Sequence, residues 1–272
     1  MAVFHSRHVQ VPPRAKLIWP ILNLARNQSG GRSILSGGAT DMSQHKSLRL
    51  SANFTRLAES DIEAFSDLPV GWISDALNRN AALPHSIRPV TRRTMFAGSA
   101  LTIETRYNDN LAIYAGLSIA KPGDVLVIAV DAEDTTTPSC SICGDILAGF
   151  ARNTGISALV TNGLVRDRVG LDNMGIPVFA AGLSPNAPRK DGPGSCGLPI
   201  QIADKVIYSG DLICGDDDGV VHIPQDKIDS VRKGLCAIAE KEQHMEQALA
   251  AGQKTPDWLA ERLANADVEW LK

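Results

Sequence analysis

The sequence predicts an α/β fold in which strands and helices alternate and part of the sheet is parallel. Short apolar runs of strand length, such as VLVIAV at 125–130, are followed by segments with apolar residues at helical spacing, such as GDILAGFARNTG at 144–155. Glycine follows several of these segments, at the point where a helix is expected to end. The 272 residues are 44% hydrophobic and 21% charged, which is typical of a globular chain with a sizeable core.

The first fifty residues differ from the remainder of the chain. No acidic residue precedes Asp41, several residues are basic, and NQSGGRSILSGGAT at 27–40 is rich in glycine and serine. We expect residues 1–50 to be a disordered extension, with an organelle transit peptide or a real start at Met42 as alternatives. The predicted organisation is therefore an extension at 1–50, an α/β core at 51–225 and a helical C-terminal segment at 226–272.

The core is predicted to open with two short helices and then to alternate between strand and helix. The opening helices lie in ESDIEAFSDL and VGWISDALNR, which have polar starts and apolar residues at helical spacing. The predicted strands lie in GSALTIETR (98–106), in KPGDVLVIAV (121–130), where a turn precedes the strand, in ISALVTN (156–162) and in IPVFAAG (176–182). The predicted helices are NLAIYAGLSIA (110–120), GDILAGFARNTG (144–155) and a short helix after Arg166.

The remainder of the chain is predicted to contain a loop, short strands and two helices. SPNAPRKDGPGSCGLP at 184–199 is rich in proline and glycine and predicts a long loop. The next segment, to residue 224, predicts two or three short strands with tight turns, and the acidic run Asp216–Asp218 suits either such a turn or a metal site. An amphipathic helix is expected from Gln225 to about residue 250, and a last helix has Thr255 as its N-cap and Pro256 at its first position.

Composition and motifs disfavour several classes of protein. A net charge of −3 gives no strong field for nucleic acid or for an anionic membrane, so neither is expected as a partner. The apolar runs are far shorter than the roughly 20 residues of a membrane helix. The sequence contains no GxSxG, Walker or HExxH motif and no GxGxxG after a predicted strand, which disfavours the corresponding hydrolases, kinases, zincins and dinucleotide-binding enzymes.

The cysteines indicate a reducing compartment. Five cysteines, an odd number in a long chain with no evident secretory signal, favour reduced thiols and a cytoplasmic location. Only Cys140 and Cys143 form a C-x-x-C motif, and no further ligands with zinc-site spacing follow. We interpret these two residues as buried or bystander thiols.

Charged residues mark two predicted helix starts. Asp145 follows Gly144, and Arg166 and Asp167 come at the start of the next helix, with twenty residues between Asp145 and Arg166. Consecutive helices of an α/β unit begin at one edge of the sheet, where helix amides bind anions and carboxylates bind hard cations. The spacing is compatible with a site for an oxyanion and Mg²⁺, but by itself it favours a surface ion pair beside two helix starts.

The segment CGDILAGFARNTGISALVTNGLVRDRVGLDNMGIPVFAAGLSP at 143–185 resembles the core of the RraA-like family. That family includes class II 4-hydroxy-4-methyl-2-oxoglutarate/4-carboxy-4-hydroxy-2-oxoadipate aldolases and the regulator of ribonuclease E activity. The resemblance extends to ISDALNR, KPGDVLVIAVD and GDDDGVVHIP, and it covers about residues 57–252. Asp145, Arg166 and Asp167 match the family pattern of an Asp, twenty residues and an Arg-Asp pair, which makes a functional pocket the preferred interpretation.

The resemblance implies a role for each of these three side chains. Asp167 is the implied protein ligand of Mg²⁺ or Mn²⁺, in a coordination shell otherwise made mostly of water. Arg166 is implied to hold the oxygens of a bound pyruvate-type group and to steady the enolate formed when a C–C bond breaks. Asp145 is implied to hold metal-bound waters and to help a water carry a proton.

The resemblance also implies binding residues outside this triad. Gly144 and the backbone amides of Ile146 and Leu147 are expected to receive the substrate carboxylate at the helix start. Glu242 matches a family glutamate that reaches the site of a neighbouring subunit. The alternative for Glu242 is a solvated side chain on an amphipathic helix.

The implied function is that of a divalent-metal-dependent lyase, a class II pyruvate aldolase or an oxaloacetate decarboxylase. Such an enzyme cleaves a C–C bond of a 2-oxo acid and releases pyruvate through a metal-stabilised enolate. The alternative is a non-enzymatic regulator that inhibits a ribonuclease through protein–protein binding. The implied fold is a swivelling β/β/α domain with a helical C-terminal tail, assembled as a homotrimer or hexamer with sites between subunits.

Two positions depart from the family pattern. Asn162 stands where members commonly have Asp, which predicts altered hydrogen bonding around the site without loss of a metal ligand. EDTTTPSCSIC at 133–143 replaces the glycine-rich approach of many relatives, which predicts a different pocket rim and a different substrate.

Overall fold

The structure is a computed structural model, and it describes residues 47–131 and 139–271. Within those two ranges the fold is mixed α/β. The strands, numbered along the chain, are β1 (Leu48–Leu50), β2 (Arg88–Pro89), β3 (Phe96–Thr105), β4 (Asp124–Val130), β5 (Ser141–Cys143), β6 (Ala158–Thr161), β7 (Leu164–Val165), β8 (Val178–Ala180), β9 (Gly182–Leu183), β10 (Gly194–Cys196), β11 (Ile200–Ile202), β12 (Lys205–Ile207), β13 (Leu212–Asp216) and β14 (Gly219–Ile223). The helices are α1 (Glu59–Glu63), α2 (Val70–Ala76), α3 (Leu111–Leu117), α4 (Asp145–Thr154), α5 (Arg168–Met174), α6 (Ile228–Ala250) and α7 (Trp258–Ala264).

The main sheet has the strand order β1-β10-β3-β4-β6-β8-β2, with β13 also paired to β3 and β14 to β13. The central pairs β3–β4, β4–β6 and β6–β8 are parallel, as the alternation of strand and helix predicts. A second, three-stranded sheet has the order β5-β7-β9, and both of its pairs are parallel. This small sheet carries the segments that lead into α4 and α5.

The core lies on both faces of the main sheet. Along β4 the side chains alternate, so that Leu126 and Ile128 pack with α3 and α4 on one face while Val125 and Val127 pack on the other. The second face is covered by the β11–β12 hairpin, whose inward residues include Ile202. A continuous apolar strand such as β4 is typical of parallel sheets that are buried on both faces.

A third cluster of buried residues joins the C-terminal helix to the core. Ile228, Val231 and Leu235 of α6 pack with α2 and with the β13–β14 hairpin. The helical C-terminal segment therefore begins by packing against the core. No helix among the described residues is long and apolar enough to cross a membrane.

Two details of the predicted elements are wrong. The segment expected to be a long loop contains β10, which pairs with β1 and β3 inside the main sheet. The last helix has Asp257, not Thr255, as its N-cap, and it begins at Trp258. Strand β1 places the start of the sheet at Leu48, just before the predicted start of the core. The predictions for residues 1–46 lie outside the described residues.

Candidate active site

The first half of the site is the turn from β5 into α4. Gly144 is the N-cap residue with extended backbone angles, and α4 begins at Asp145, as the sequence predicts. The N–H of Ala148 donates to the carbonyl of Gly144 at 3.1 Å, which closes the first helical turn. The amides of Ile146 and Leu147 precede that bond, where an α-helix has no internal acceptor for them. Their predicted role, to donate hydrogen bonds to the substrate carboxylate, is compatible with this geometry and stays a prediction.

The second half of the site is the turn from β7 into α5. The N–H of Arg166 donates to the carbonyl of Cys143 at 2.9 Å, so the chain stays paired with β5 beyond the end of β7. Asp167 is the N-cap of α5, with φ 59° and ψ 43°. This left-handed conformation is uncommon for residues other than glycine and is best tolerated by Asn and Asp.

The two turns lie side by side because β5 and β7 run parallel, with Cys143 opposite Val165. Arg166 Nε lies 3.3 Å from Asp167 Oδ2, and the two side chains are 36% and 41% exposed. The absence of a side chain at Gly144 makes room for them, since a Cβ there would lie 2.5 Å from Asp167 Oδ2 and 3.0 Å from Arg166 Cγ. The turn glycine and the charged pair therefore occupy adjoining space.

Asp145 joins the same cluster through α5. Its carboxylate packs on the backbone of Gly170, where an added Cβ would lie 2.6 Å from both Cβ and Oδ2 of Asp145. The structure thus places Asp145, Arg166 and Asp167 together at two adjoining helix starts. The roles that the resemblance implies for them stay predictions.

A buried thiol lies beneath these charges. The pKa of Cys143 is raised to about 12, mainly by burial, with a backbone hydrogen bond at Ala148 and the charge of Arg166 opposing the rise and the carboxylates of Asp167 and Asp145 adding to it. The thiol is therefore neutral at physiological pH and is a poor nucleophile. Cys143, Cys196, Cys214 and Cys236 form no disulfide bond among the described residues.

Asn110 is a residue near the site that the sequence interpretation missed. It is buried at the start of α3, and its Nδ2 donates to the carbonyl of Ile142 in β5 at 2.9 Å. Its Oδ1 has no hydrogen-bond partner among the described residues, which leaves a buried acceptor next to the strand that ends at the site. Asn110 is the N-cap residue of α3, a position that Asn favours, but its side chain makes no capping hydrogen bond.

Glu242 lies away from this cluster. It is on α6 and lines a cleft against α2 together with Asp75, Arg79 and Lys241. The chain does not itself bring Glu242 to Asp145, and its predicted approach to a neighbouring subunit stays a prediction.

The acidic run Asp216–Asp218 forms the turn between β13 and β14, as expected. The two carboxylate oxygens of Asp216 accept hydrogen bonds from the backbone N–H of Val70 and of Asp218, so this side chain has a structural role at the turn. Within 47–131 and 139–271, no three His, Cys, Asp or Glu side chains are grouped as a metal site. The predicted rim segment 133–143 falls partly outside the described residues.

Three comparisons with known proteins agree with this picture. The family model RraA-like, described as Aldolase/RraA, matches residues 71–222. A protein of Halalkalibacterium halodurans named "Putative 4-hydroxy-4-methyl-2-oxoglutarate aldolase" is 37% identical over 175 residues, which make up 64% of this chain and 81% of that protein.

Solved structures show the same fold at lower identity. An uncharacterized protein from Pseudomonas syringae pv. tomato aligns with a TM-score of 0.63 and 24% identity, covering 73% of this chain and 96% of the other. The RNA-processing inhibitor RraA from Thermus thermophilis aligns with a TM-score of 0.52 and 24% identity, covering 58% of this chain and 93% of the other.

Proposed function

This chain belongs to the RraA-like family, and we propose that it is a divalent-metal-dependent lyase that cleaves a C–C bond of a 2-oxo acid and releases pyruvate. The observation that carries the proposal is the grouping of Asp145, Arg166 and Asp167 at two adjoining helix starts. Two carboxylates and a guanidinium at one point supply ligands for a cation and a clamp for an oxyanion.

The donor set fits Mg²⁺ or Mn²⁺. Both metals prefer oxygen ligands, and Asp167 offers a carboxylate that is 41% exposed on a short side chain. Asp145 places a second carboxylate close by, and the absence of a side chain at Gly144 makes room for Asp167 and Arg166 beside the helix start. Asp167 would hold the cation directly and Asp145 through water. The bound cation would supply Lewis acidity at the 2-oxo carbonyl.

The remaining groups of the site bind the substrate and stabilise charge. The N-terminus of α4 presents the amides of Ile146 and Leu147 to a carboxylate. Arg166 would donate to the oxygen on which negative charge develops when the C–C bond breaks, because the electron pair of that bond becomes part of an enolate. Asp145 would hold the water that returns a proton to the methyl carbon of pyruvate.

This assignment covers two reactions. Retro-aldol cleavage of a 4-hydroxy-2-oxo acid and decarboxylation of oxaloacetate both break the bond between C4 and C3, where C3 is the carbon next to the 2-oxo carbonyl. Both therefore leave the enolate of pyruvate, and one arrangement of charges stabilises both transition states. No Schiff-base lysine is required.

The proposal includes a homo-oligomer, either a trimer or a hexamer. Apolar side chains next to the site are strongly exposed in the single chain: Ile146 at 66%, Phe150 at 52% and Val169 at 76%. Burial of such residues against another copy is favourable, which supports an assembly with sites close to subunit contacts. Light scattering of the purified protein measures its mass and would contradict this part by finding a monomer.

The function is tested by measuring pyruvate release from 4-hydroxy-4-methyl-2-oxoglutarate and from oxaloacetate, with Mg²⁺, with Mn²⁺ and with EDTA. We expect metal-dependent release from at least one substrate. Asp167→Asn and Arg166→Lys should each lower kcat/KM by at least about 100-fold, since each removes a group that acts on the transition state. Arg152→Lys, a change on the exposed end of α4, is the matched control and should leave kcat/KM unchanged. Absence of release from every substrate, or full activity of the Asp167→Asn protein, would overturn the proposal.

A further inference from the structure

The side chain of Asn162 joins the two chain segments that lead to the candidate site. Its Oδ1 accepts a hydrogen bond from the N–H of Val130 at 2.7 Å, and its Nδ2 donates to the carbonyl of Val130 at 3.2 Å. Val130 is the last residue of β4, and Asn162 directly follows the last residue of β6. One side-chain amide therefore satisfies both backbone groups at the end of β4.

These two bonds continue the sheet beyond its backbone ladder. Strands β4 and β6 pair in parallel, and their last paired residues are Ile128 and Thr161. An Asn side chain carries the same donor and acceptor as a peptide group, so Asn162 extends the pairing by its side chain. A carboxylate at this position keeps the acceptor but sets a second oxygen against the carbonyl of Val130, and alanine keeps neither bond.

The hydrogen-bonded pair of Asn162 and Val130 lies on the chain segments that lead to both halves of the site. After Asn162 the chain turns at Gly163 and reaches Arg166 through β7. The turn rests directly on β4, since a Cβ at Gly163 would lie 2.6 Å from Cγ2 of Val130. In the other direction, the chain that leaves Val130 leads to β5 and then to Asp145.

We propose that Asn162 is a positioning residue for Arg166 and that it acts through the β6–β7 turn. The amide fixes where β7 begins, and β7 in turn sets the backbone of Arg166, whose N–H is bonded to the carbonyl of Cys143. The effect on catalysis rests on the proposed function. A shift of about 1 Å in a group that stabilises a transition state lowers the rate by up to about 100-fold.

The test combines backbone hydrogen exchange with kinetics. Asn162→Ala should raise the exchange rate of the Arg166 amide by at least about tenfold, which is about 1.4 kcal/mol of local opening free energy. It should also lower kcat by at least about tenfold while KM changes by less than about threefold, since placement in the transition state is what is lost. Asn162→Asp, which keeps the bond to the N–H of Val130, should give smaller changes in both measurements.

The matched control is Ser209→Ala. Ser209 Oγ accepts a hydrogen bond from the N–H of Thr102 at 3.1 Å, so this change removes a side-chain bond to the middle of β3, away from the site. It should lower the free energy of unfolding without changing the exchange of Arg166 or the kcat. Unchanged exchange of Arg166 in the Asn162→Ala protein, or equal exchange changes in the control, would overturn the proposal. If the native protein releases no pyruvate, the proposed function fails. The exchange measurement still decides whether Asn162 positions the backbone of Arg166.

Discussion

The carboxylate of Asp145 rests on the backbone of Gly170, one turn into the helix that Asp167 caps. This contact joins the acidic residue of one helix start to the helix of the other. Gly170 has no side chain, and that allows α5 to approach Asp145 this closely. The position of Asp145 relative to Asp167 therefore depends on a glycine that carries no functional group.

Gly170→Ala is expected to displace Asp145 and to lower kcat/KM by at least about tenfold, because the new Cβ would overlap the carboxylate. The free energy of unfolding should fall by about 1 kcal/mol, since overpacking costs about 1–3 kcal/mol and the better helix propensity of alanine offsets up to about 1. The measurements are steady-state kinetics and denaturant unfolding. Gly71→Ala is the control, since a Cβ there meets nothing within 4 Å, and it should leave activity unchanged. Full activity of the Gly170→Ala protein would contradict the prediction.

Asp167→Asn and Asp167→Ala should separate charge from backbone conformation. Both changes remove the carboxylate, so both should abolish Mn²⁺ binding at the site, measured by calorimetry. Both proteins lose the ion pair with Arg166. The free energy of unfolding of the alanine protein should be lower than that of the Asn protein by about 1 kcal/mol, because Asn tolerates the φ of 59° and alanine does not. Equal unfolding free energies for the two proteins would show that the left-handed backbone at residue 167 is not strained by alanine.

The protein should lose stability as the pH rises above about 9. Burial raises the pKa of Cys196 from 9.0 to about 11, and burial raises the pKa of Cys214 as well. Below pH 9 these thiols are protonated in both states; above it only the unfolded state releases the protons, so unfolding becomes more favourable. Each thiol contributes a slope of up to about 1.4 kcal/mol per pH unit until the pH reaches its folded pKa.

Unfolding free energies at pH 7, 9 and 10.5, measured in reducing buffer, check this dependence. Cys196→Ala should reduce the slope between pH 9 and 10.5, because one of the buried thiols is gone. Cys236→Ala removes an exposed thiol and should leave the slope unchanged. A slope that is the same in all three proteins would assign the pH dependence to other groups.

Arg56→Ala should destabilise the fold strongly. Arg56 Nε and Nη2 donate to the two oxygens of Asp124 at 2.7 and 2.9 Å, and the side chain of Asp124 is only 1% exposed. Removal of the arginine leaves a buried carboxylate without its charged partner, which costs about 3–5 kcal/mol. Arg79→Ala, which removes an exposed ion pair with Asp75, should cost less than about 1 kcal/mol in the same denaturant titration. A loss of similar size in both proteins would contradict the prediction.

Patterning along the chain predicts the elements that have enough residues to show it. Strand β4 contains a run of six apolar residues, and α4 has a glycine at each end, so both are predicted almost to their bounds. Strand β10 is only three residues long within a segment rich in proline and glycine, and its apolar content is low. It belongs to the sheet because Gly194 lets it approach β3 and α3, where an added Cβ would lie 2.5 Å from Cβ of Ala112. Such a contact between distant segments leaves no periodic signal.

The site was predictable only in part for a similar reason. The twenty-residue separation of Asp145 and Arg166 indicates two consecutive helix starts, and the structure places them together. The left-handed backbone of Asp167 and the side-chain pairing of Asn162 with Val130 depend on how β5, β6 and β7 meet in space. These features arise from tertiary packing, which a single sequence does not display.

The backbone of Asp167 also limits which ligands could replace this residue if the proposed cation site were redesigned for other metals. A residue at φ 59° must be one that accepts a left-handed conformation, and among the metal-binding side chains those are Asp, Asn and His. Glutamate and cysteine are disfavoured there before any metal is considered. Engineering toward metals that favour imidazole ligands is therefore open through histidine at this position, whereas a thiolate centre requires a different anchor point on the chain.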